Sequence, residues 1–419
     1  MFDKILASDH EFVEPKKFFN RNFILLWQGN AVSAFGDVLH SIAIGYWVYT
    51  QTGSTALMGL MSSISLFMNM LLRPFSGAIV DRSNRKAVIV GMDLIRGLLV
   101  VALGFFALTQ NLSVLMIFIT AIVMALCSVL FGPAAMTVMM DLVPKKEILR
   151  LQSIMGGTGQ FISLMGQAIS GSLIVTFGVA PLIIANGISF ILSALSETFI
   201  RIPKGVKQGQ KISYQVIMAD VVRGAKQLFA SKGLSGLVIA GFLANLLSSG
   251  SLALMIPLVF AKGLNIAEYG YFTAATSGAG LLAMALLGAK PLASKHRFNV
   301  MALAFILPAF ITAYALLYIE GFLWFTIAFC VAEFMMIYAN SILNAAIMAS
   351  VPRDQRATIF GFIGSFTIGG MVLSTLAYGF LAEIYPIIII TAIGGMLGLI
   401  PLTPLFIQKH FRKIVESDE

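Results

Sequence analysis

The chain has 419 residues, of which 58% are hydrophobic and 11% charged, and its mean hydropathy is +0.91. A soluble domain carries about 25% charged residues to cover its surface, so a soluble enzyme, a disulfide scaffold and a DNA-binding protein are excluded. The net charge of +9 and pI near 9.5 then read as basic loops at a membrane face, not as a nucleic-acid surface.

The N-terminal tail, residues 1–21, carries Asp3, Lys4, Asp9, Glu11, Glu14, Lys16, Lys17 and Arg21 and is too polar for the apolar core of a signal peptide. Apolar runs then follow at about 22–49, 55–80, 87–109, 112–140, 153–178, 181–201, 233–261, 267–290, 298–319, 321–349, 357–382 and 385–408. Each is long enough for a membrane helix, which needs about 20 residues. The chain is therefore read as an all-α membrane protein of twelve spans. The shortest divisions hold a polar group or a breaker: Asn111 between spans 3 and 4, Glu320 and Gly321 between spans 9 and 10. Cys127 and Cys330 both fall in apolar runs, which gives neither a disulfide framework nor a zinc site.

The basic residues orient the spans. The two tails and the loops after spans 2, 4, 6, 8 and 10 hold 25 of the 28 lysines and arginines. Lys262 is the exception in an odd loop, and Arg73 and Arg96 fall inside spans. Positive charge collects on the cytoplasmic side, so both termini and all even loops are expected there. The longest polar stretch, 202–231, is a cytoplasmic linker between a six-span bundle at 22–201 and another at 232–408, followed by a tail at 409–419. Within the linker, 214–230 has apolar residues at helical spacing interrupted by Asp220, Arg223 and Lys226, the pattern of a surface amphipathic helix.

The two halves repeat one another. Pro144 and Pro352 follow spans 4 and 10 in similar contexts, 208 residues apart, and Gly156/Gly364 and Gly171/Gly379 share that offset. Duplicated six-helix units related by an axis along the membrane normal are a known transporter architecture.

The loop after span 2 reads Gly77-Ala-Ile-Val-Asp81-Arg82-Ser83-Asn84-Arg85-Lys86. It is similar, at all six specified positions, to the G-x-x-x-D-R-x-x-R-K loop signature of the major facilitator superfamily (MFS). Further stretches resemble the macrolide-efflux-like branch of its drug:proton antiporters: Asp93-Leu-Ile-Arg96, Phe131-Gly-Pro133, Leu142-Val-Pro144 and Arg201-Ile-Pro-Lys204. The resemblance spans nearly the whole chain. It implies a fold of two pseudo-symmetric six-helix bundles and a loop cluster that latches one conformation. Gly77 is expected to allow close helix approach, Asp81 to accept hydrogen bonds from a helix N-terminus, and Arg85 to pair with Asp141, with Arg82 and Lys86 in the same cluster. The second-half counterpart, Gly288 to Arg297, is degenerate, with Leu292 in the aspartate position. Two departures are written in the chain. Span 4 reads MALCSVLFGPAAM without the arginine many proton antiporters carry, and the span 5 motif G-P-x-x-G-G appears as Gly166-Gln167-Ala-Ile-Ser170-Gly171.

Charges inside spans are few, and an intramembrane carboxylate is functional by default. Asn30, Ser33, Asp37, His40 and Ser41 recur at helical spacing in span 1 and are expected on one face. The resemblance places spans 1, 4, 7 and 10 around a central cavity. Asp37 is thus the first candidate for proton or cation binding, with His40 one turn away as a relay; an internally bonded polar face is the alternative. Glu333 in span 10, with Asn340 and Asn344 beyond it, is the second; a cross-bundle pair is its alternative. Asp93 and Arg96 sit at i,i+3 in span 3 and read as structural support for the loop cluster, with Arg73 a third member. Glu197, four residues before Arg201, reads as an interfacial pair.

Met58, Met61, Met68, Met70, Met335 and Met336 read as ordinary packing or as a deformable pocket. No phosphate loop, metal-ligand cluster or catalytic triad appears, so the chain is not read as an enzyme. The expected function is proton-coupled efflux of amphipathic, macrolide-like small molecules by alternating access, from the cell membrane. No cofactor beyond the proton gradient is expected, nor any partner beyond substrate, protons and lipid, and the chain is expected to be a monomer. Rivals are a facilitator or symporter for a nutrient, lipid or siderophore-type solute and, more remotely, a membrane-embedded enzyme or scaffold.

Overall fold

Uninterrupted apolar stretches bounded by Gly, Pro and capping residues leave the backbone one way to bond itself without water, the α-helix. The structure, a computed structural model, describes residues 17–201, 232–289, 293–350 and 356–407, with 412, 415 and 416. The linker helix expected at 214–230, Lys290 and Arg353 lie outside the described residues. In the first part of the chain the helices are α1 (Arg21–Thr52), α2 (Thr55–Arg82), α3 (Arg85–Leu108), α4 (Val114–Asp141), α5 (Ile148–Phe177) and α6 (Val179–Thr198). In the second they are α7 (Lys232–Ser248), α8 (Gly250–Ala253), α9 (Met255–Ala261), α10 (Ile266–Ala289), α11 (Ser294–Tyr318), α12 (Phe322–Ser350), α13 (Arg356–Ile384), α14 (Ile387–Leu397) and α15 (Thr403–Ile407). No strand occurs among the described residues.

Among the described residues ten helices are long and apolar enough to cross a membrane. The stretch expected as a single seventh span is instead bent by 62° between Val238–Ala253 and Met255–Ala261. The cause is local. Pro257 has no N–H to give the carbonyl of Ala253, and the Ser249–Ser251 segment turns its hydroxyls onto nearby groups, Ser249 Oγ donating to Asn245 Oδ1 at 2.8 Å and Ser251 Oγ to the Ser248 carbonyl at 2.9 Å. The last apolar stretch, Ile387–Leu402, is shorter and ends in a 3₁₀ turn at Ile400–Leu402, where Pro401 stops the α-helical ladder. Short turns separate α3 from α4 and α11 from α12. In the first Gln110 adopts φ 57°, and in the second Gly321 adopts φ +82°, a conformation that suits a residue without Cβ.

The described residues form two compact units. One comprises those of Met1–Trp47 with Leu71–Ile212, the other those of Val48–Met70 with Ser213–Glu419. In the first, Phe23, Leu26, Ile89, Phe131, Ala134, Val138, Leu142 and Leu151 close an apolar core. In the second, one core gathers Leu258, Phe272, Leu316 and Phe325, and another gathers Met301, Phe305, Ala339 and Val415.

The first half of α2 thus packs in the second unit, against α13. Small and hydroxylated residues make that contact. Gly59 meets Gly379, Thr55 Oγ1 donates to the Gly379 carbonyl at 3.0 Å, and the Ser63 and Thr375 hydroxyls are 2.6 Å apart. Glu383 finishes it by accepting from Ser54 Oγ at 2.6 Å and from the Ala56 N–H at 3.0 Å, where the positive end of the α2 dipole favours a carboxylate.

Candidate functional site

Helix α6 carries the polar residues that organise the first unit. Asn186, Ser189, Ser193 and Glu197 are spaced three and four apart, share one face, and are all buried. Two glycines seven residues apart on α1 fit against that face. A Cβ at Gly29 would meet Ser193, and one at Gly36 would meet Asn186 and Ser189. On the other side α3 crosses α6 backbone to backbone through Gly97, Gly104 and Gly187, the small-residue packing typical of membrane helices.

This packing places two clusters. In the first, Asn186 Nδ2 donates to Asp37 Oδ1 at 3.2 Å, and Ser33 Oγ donates to the Ser189 carbonyl at 3.5 Å. The expected common face of α1 therefore divides. Ser33 is buried against α6, whereas Ser41 is exposed and donates to its own Val38 carbonyl at 2.9 Å. Asp37, His40 and Asn30 are half-buried, and His40 Nδ1 has no hydrogen-bond partner among the described residues.

In the second cluster Arg96 Nη2 donates to Asp93 Oδ1, with both side chains buried. The guanidinium lies over the rings of Phe131 and Phe190, 4.3 and 4.4 Å from their centroids. The third member is Glu197 and not Arg73, whose side chain is exposed on α2. This corrects the expected Glu197–Arg201 surface pair. Glu197 is fully buried and accepts from Ser193 Oγ at 3.4 Å, because the α3–α6 crossing turns it inward. The signal was present in the sequence: the Asn186–Ser189–Ser193–Glu197 stripe has the same periodicity as the span 1 set.

At the end of α3 nearest the loop, Asn84 caps the helix by accepting from the Ala87 N–H at 3.2 Å. Arg85 Nη1 donates to Asp141 Oδ2 at 2.9 Å, and Lys86 Nζ to the Thr198 carbonyl at the C-terminal end of α6 at 2.8 Å. The Asp81 and Arg82 side chains lie outside the described residues. An added Cβ at Gly77 meets nothing among the described residues; among them, close approaches fall at Gly59, Gly97 and Gly187. In α5, Gly166 packs against Val38, and Gln167 donates to Ser163 Oγ at 2.9 Å. The Arg85–Asp141 pair is about one-quarter exposed on each side. A double-mutant cycle of Arg85→Ala and Asp141→Ala, read by thermal unfolding in detergent, is expected to give a coupling of about 1 kcal/mol that shrinks with added salt.

In the second unit Glu333 on α12 is half-buried and has no hydrogen-bond partner among the described residues. Asn340 and Asn344 are exposed, the former donating to the Met336 carbonyl at 2.9 Å. Lys262 donates to the Leu316 carbonyl at the end of α11 at 3.2 Å. Among the described residues no group of three His, Cys, Asp or Glu side chains is placed to hold a metal ion.

The sequence profile of the Major Facilitator Superfamily matches residues 26–375. The chain belongs to that superfamily. As an MFS protein with about ten apolar helices it is a multi-pass cell-membrane transporter. Macrolide efflux protein A of Streptococcus pyogenes is 22% identical to it over 364 residues, 84% of this chain and 88% of that protein. Multidrug efflux pump Tap of Mycolicibacterium fortuitum is 22% identical over 358 residues, 83% and 86% of the two chains. Among solved structures, a mutant of the nucleoside transporter NupG superposes with a TM-score of 0.74 at 13% identity, covering 92% of this chain and all of that one. A bacterial homologue of the iron transporter ferroportin, inward-facing, gives 0.64 at 14% identity over 93% of this chain and 99% of its own. These likenesses establish the MFS fold.

Proposed function

We propose that this MFS transporter exports amphipathic small molecules of macrolide-like character by alternating access, driven by the proton gradient. The observation that carries the coupled reading is Glu333, a carboxylate on a membrane helix with no hydrogen-bond partner among the described residues. A group left without a partner at such a position is free to exchange a proton with water or to meet a cation. Asp37, held by one amide, is the second coupling acid, with His40 beside it as a relay. Asn30, Ser41, Asn340 and Asn344 offer polar contacts to substrate. Export is supported by the efflux relatives, Macrolide efflux protein A and Multidrug efflux pump Tap.

In this reading the chain crosses the membrane twelve times, the bent α7–α9 segment and the α14 stretch each crossing once. Both termini are cytoplasmic, as the basic loops favour. Gly77, Asp81, Arg82, Arg85, Lys86 and Asp141 form the conformational latch. The protein works as a monomer in lipid, with no resident cofactor.

The test is accumulation of a fluorescent macrolide in everted membrane vesicles when respiration energises them. Accumulation is expected, collapsing on addition of a protonophore. The Asp37→Asn, Glu333→Gln double variant is expected to fall to the level of vesicles lacking the protein. Accumulation unchanged in that variant would overturn the residue assignment. The competing reading is a facilitator or symporter for a nutrient, a class that includes nucleosides, which the solved neighbour NupG transports; gradient-independent uptake of such a solute with no macrolide movement would replace the proposal.

A further inference from the structure

The Asp93–Arg96–Glu197 cluster holds two acids and one base in a space closed to water. Asp93 and Glu197 are fully buried and Arg96 nearly so. The Arg96 guanidinium is a cation with donors only, and its stacking on Phe131 and Phe190 fixes it in place. Asp93 neutralises it through a direct hydrogen bond. Glu197 then has no cation of its own. Of the other two bases at this end of α3, Arg85 pairs with Asp141 and Lys86 spends its ammonium on the Thr198 carbonyl. The groups facing the cluster from the neighbouring helices add no positive charge. They are Asp37 from α1, itself close enough to Arg96 to interact with it, and the Cys127 thiol from α4.

Hydrogen bonding leaves the same gap. Asp93 Oδ2 and Glu197 Oε2 are both buried without a partner among the described residues, as is Arg96 Nε, and the one hydroxyl near both acids, Ser193, donates to the other Glu197 oxygen. A net negative charge with two unsatisfied oxygens, enclosed in apolar surroundings, is strongly disfavoured. One proton removes the charge and supplies a donor.

We infer that the Asp93–Glu197 pair is a proton-binding site, one proton carried by the two carboxyls while Arg96 balances the one that stays ionised, separate from Asp37 and Glu333. Binding is acid–base only: a carboxylate oxygen gains an O–H bond and nothing is oxidised or reduced. The site lies about 12 Å along α3 from Arg85, eight residues at 1.5 Å each, so a single rigid helix carries both the proton site and the Arg85–Asp141 pair.

The experiment is infrared spectroscopy of the purified protein in lipid at neutral pH, following the C=O stretch of protonated carboxyl groups. The native protein is expected to show a buried protonated carboxyl, slow to shift in D₂O. Glu197→Gln and Asp93→Asn are each expected to lose one such group, because removing either acid leaves Arg96 paired one to one and no proton is needed. The double variant is expected to lose one, not two. Absence of the band from the native protein, or its persistence in either single variant, would overturn the inference. The native measurement stands whether or not a variant folds. A second arm rests on the coupled-export reading. Glu197→Gln is expected to flatten the pH dependence of macrolide accumulation in everted vesicles. If native accumulation ignores the proton gradient, coupled export fails while the infrared result still decides the site.

Discussion

Arg96→Met is expected to lower stability by about 3–5 kcal/mol, the range for removing one partner of a buried ion pair, and to reduce the amount of protein accumulating in the membrane. The arginine is the one cation of its cluster, 5% exposed beside a fully buried Asp93. Without it the Asp93–Glu197 pair, which already carries one proton, keeps a carboxylate in an apolar enclosure with no counter-charge, and that group must be neutralised or wetted. Methionine fills much of the volume between Phe131 and Phe190, so the loss is electrostatic and not a cavity. Two controls separate these terms. Arg96→Lys keeps the charge but lacks the planar face that stacks on the rings, and is expected to fall between native and Met. Adding Asp93→Asn and Glu197→Gln to Arg96→Met removes the orphaned charge and is expected to recover most of the loss. Thermal unfolding in detergent measures all three. Equal melting temperatures for the single and triple variants would show that the cluster's charge balance does not matter to stability.

Gly187→Leu is the second large effect. A Cβ at this position would lie 2.6 Å from the Val101 N–H nitrogen and 3.0 Å from the Gly97 carbonyl oxygen, both backbone atoms of α3 that cannot rotate aside. The helices must separate, and the separation propagates. Asn186, one residue away, holds Asp37, and the Gly97 side of the same crossing carries Arg96. Overpacking of this kind costs about 1–3 kcal/mol and occasionally more, and loss of export is expected beyond the loss of folded protein. Gly77→Ala is the contrast. An added Cβ there touches nothing among the described residues, and alanine is the better helix former, so a change within about 1 kcal/mol in either direction is expected. Thermal unfolding together with export per folded molecule distinguishes the two sites. A Gly187→Leu protein that melts with the native one would show that the α3–α6 crossing is looser than its geometry.

Much of this protein is legible without a structure because a bilayer imposes local rules. A span needs a run of apolar residues wherever it is, so composition gives the class and hydropathy gives nearly all the helices. Even the bend between α7 and α9 is local in origin, since Pro257 withholds its N–H from a carbonyl four residues back. The loop signature from Gly77 to Lys86 is contiguous and can be read directly, although the openness around Gly77 cannot.

The environment of the charges is a different matter. Periodicity says which residues of a helix share a face, but not what that face meets. Ser33 and Ser41 belong to one periodic set, yet one is buried against α6 and the other exposed. Glu197 has an arginine four residues on, yet its environment is set by a helix about one hundred residues earlier in the chain. Asp37 finds its amide 149 residues away. Sequence by itself determined a helical membrane transporter of the major facilitator type, because hydropathy and a contiguous motif need only neighbours along the chain. Tertiary structure alone decided which acids share a base and which oxygens are left without a partner, because in a medium without water that depends on the atoms a neighbouring helix brings across the gap.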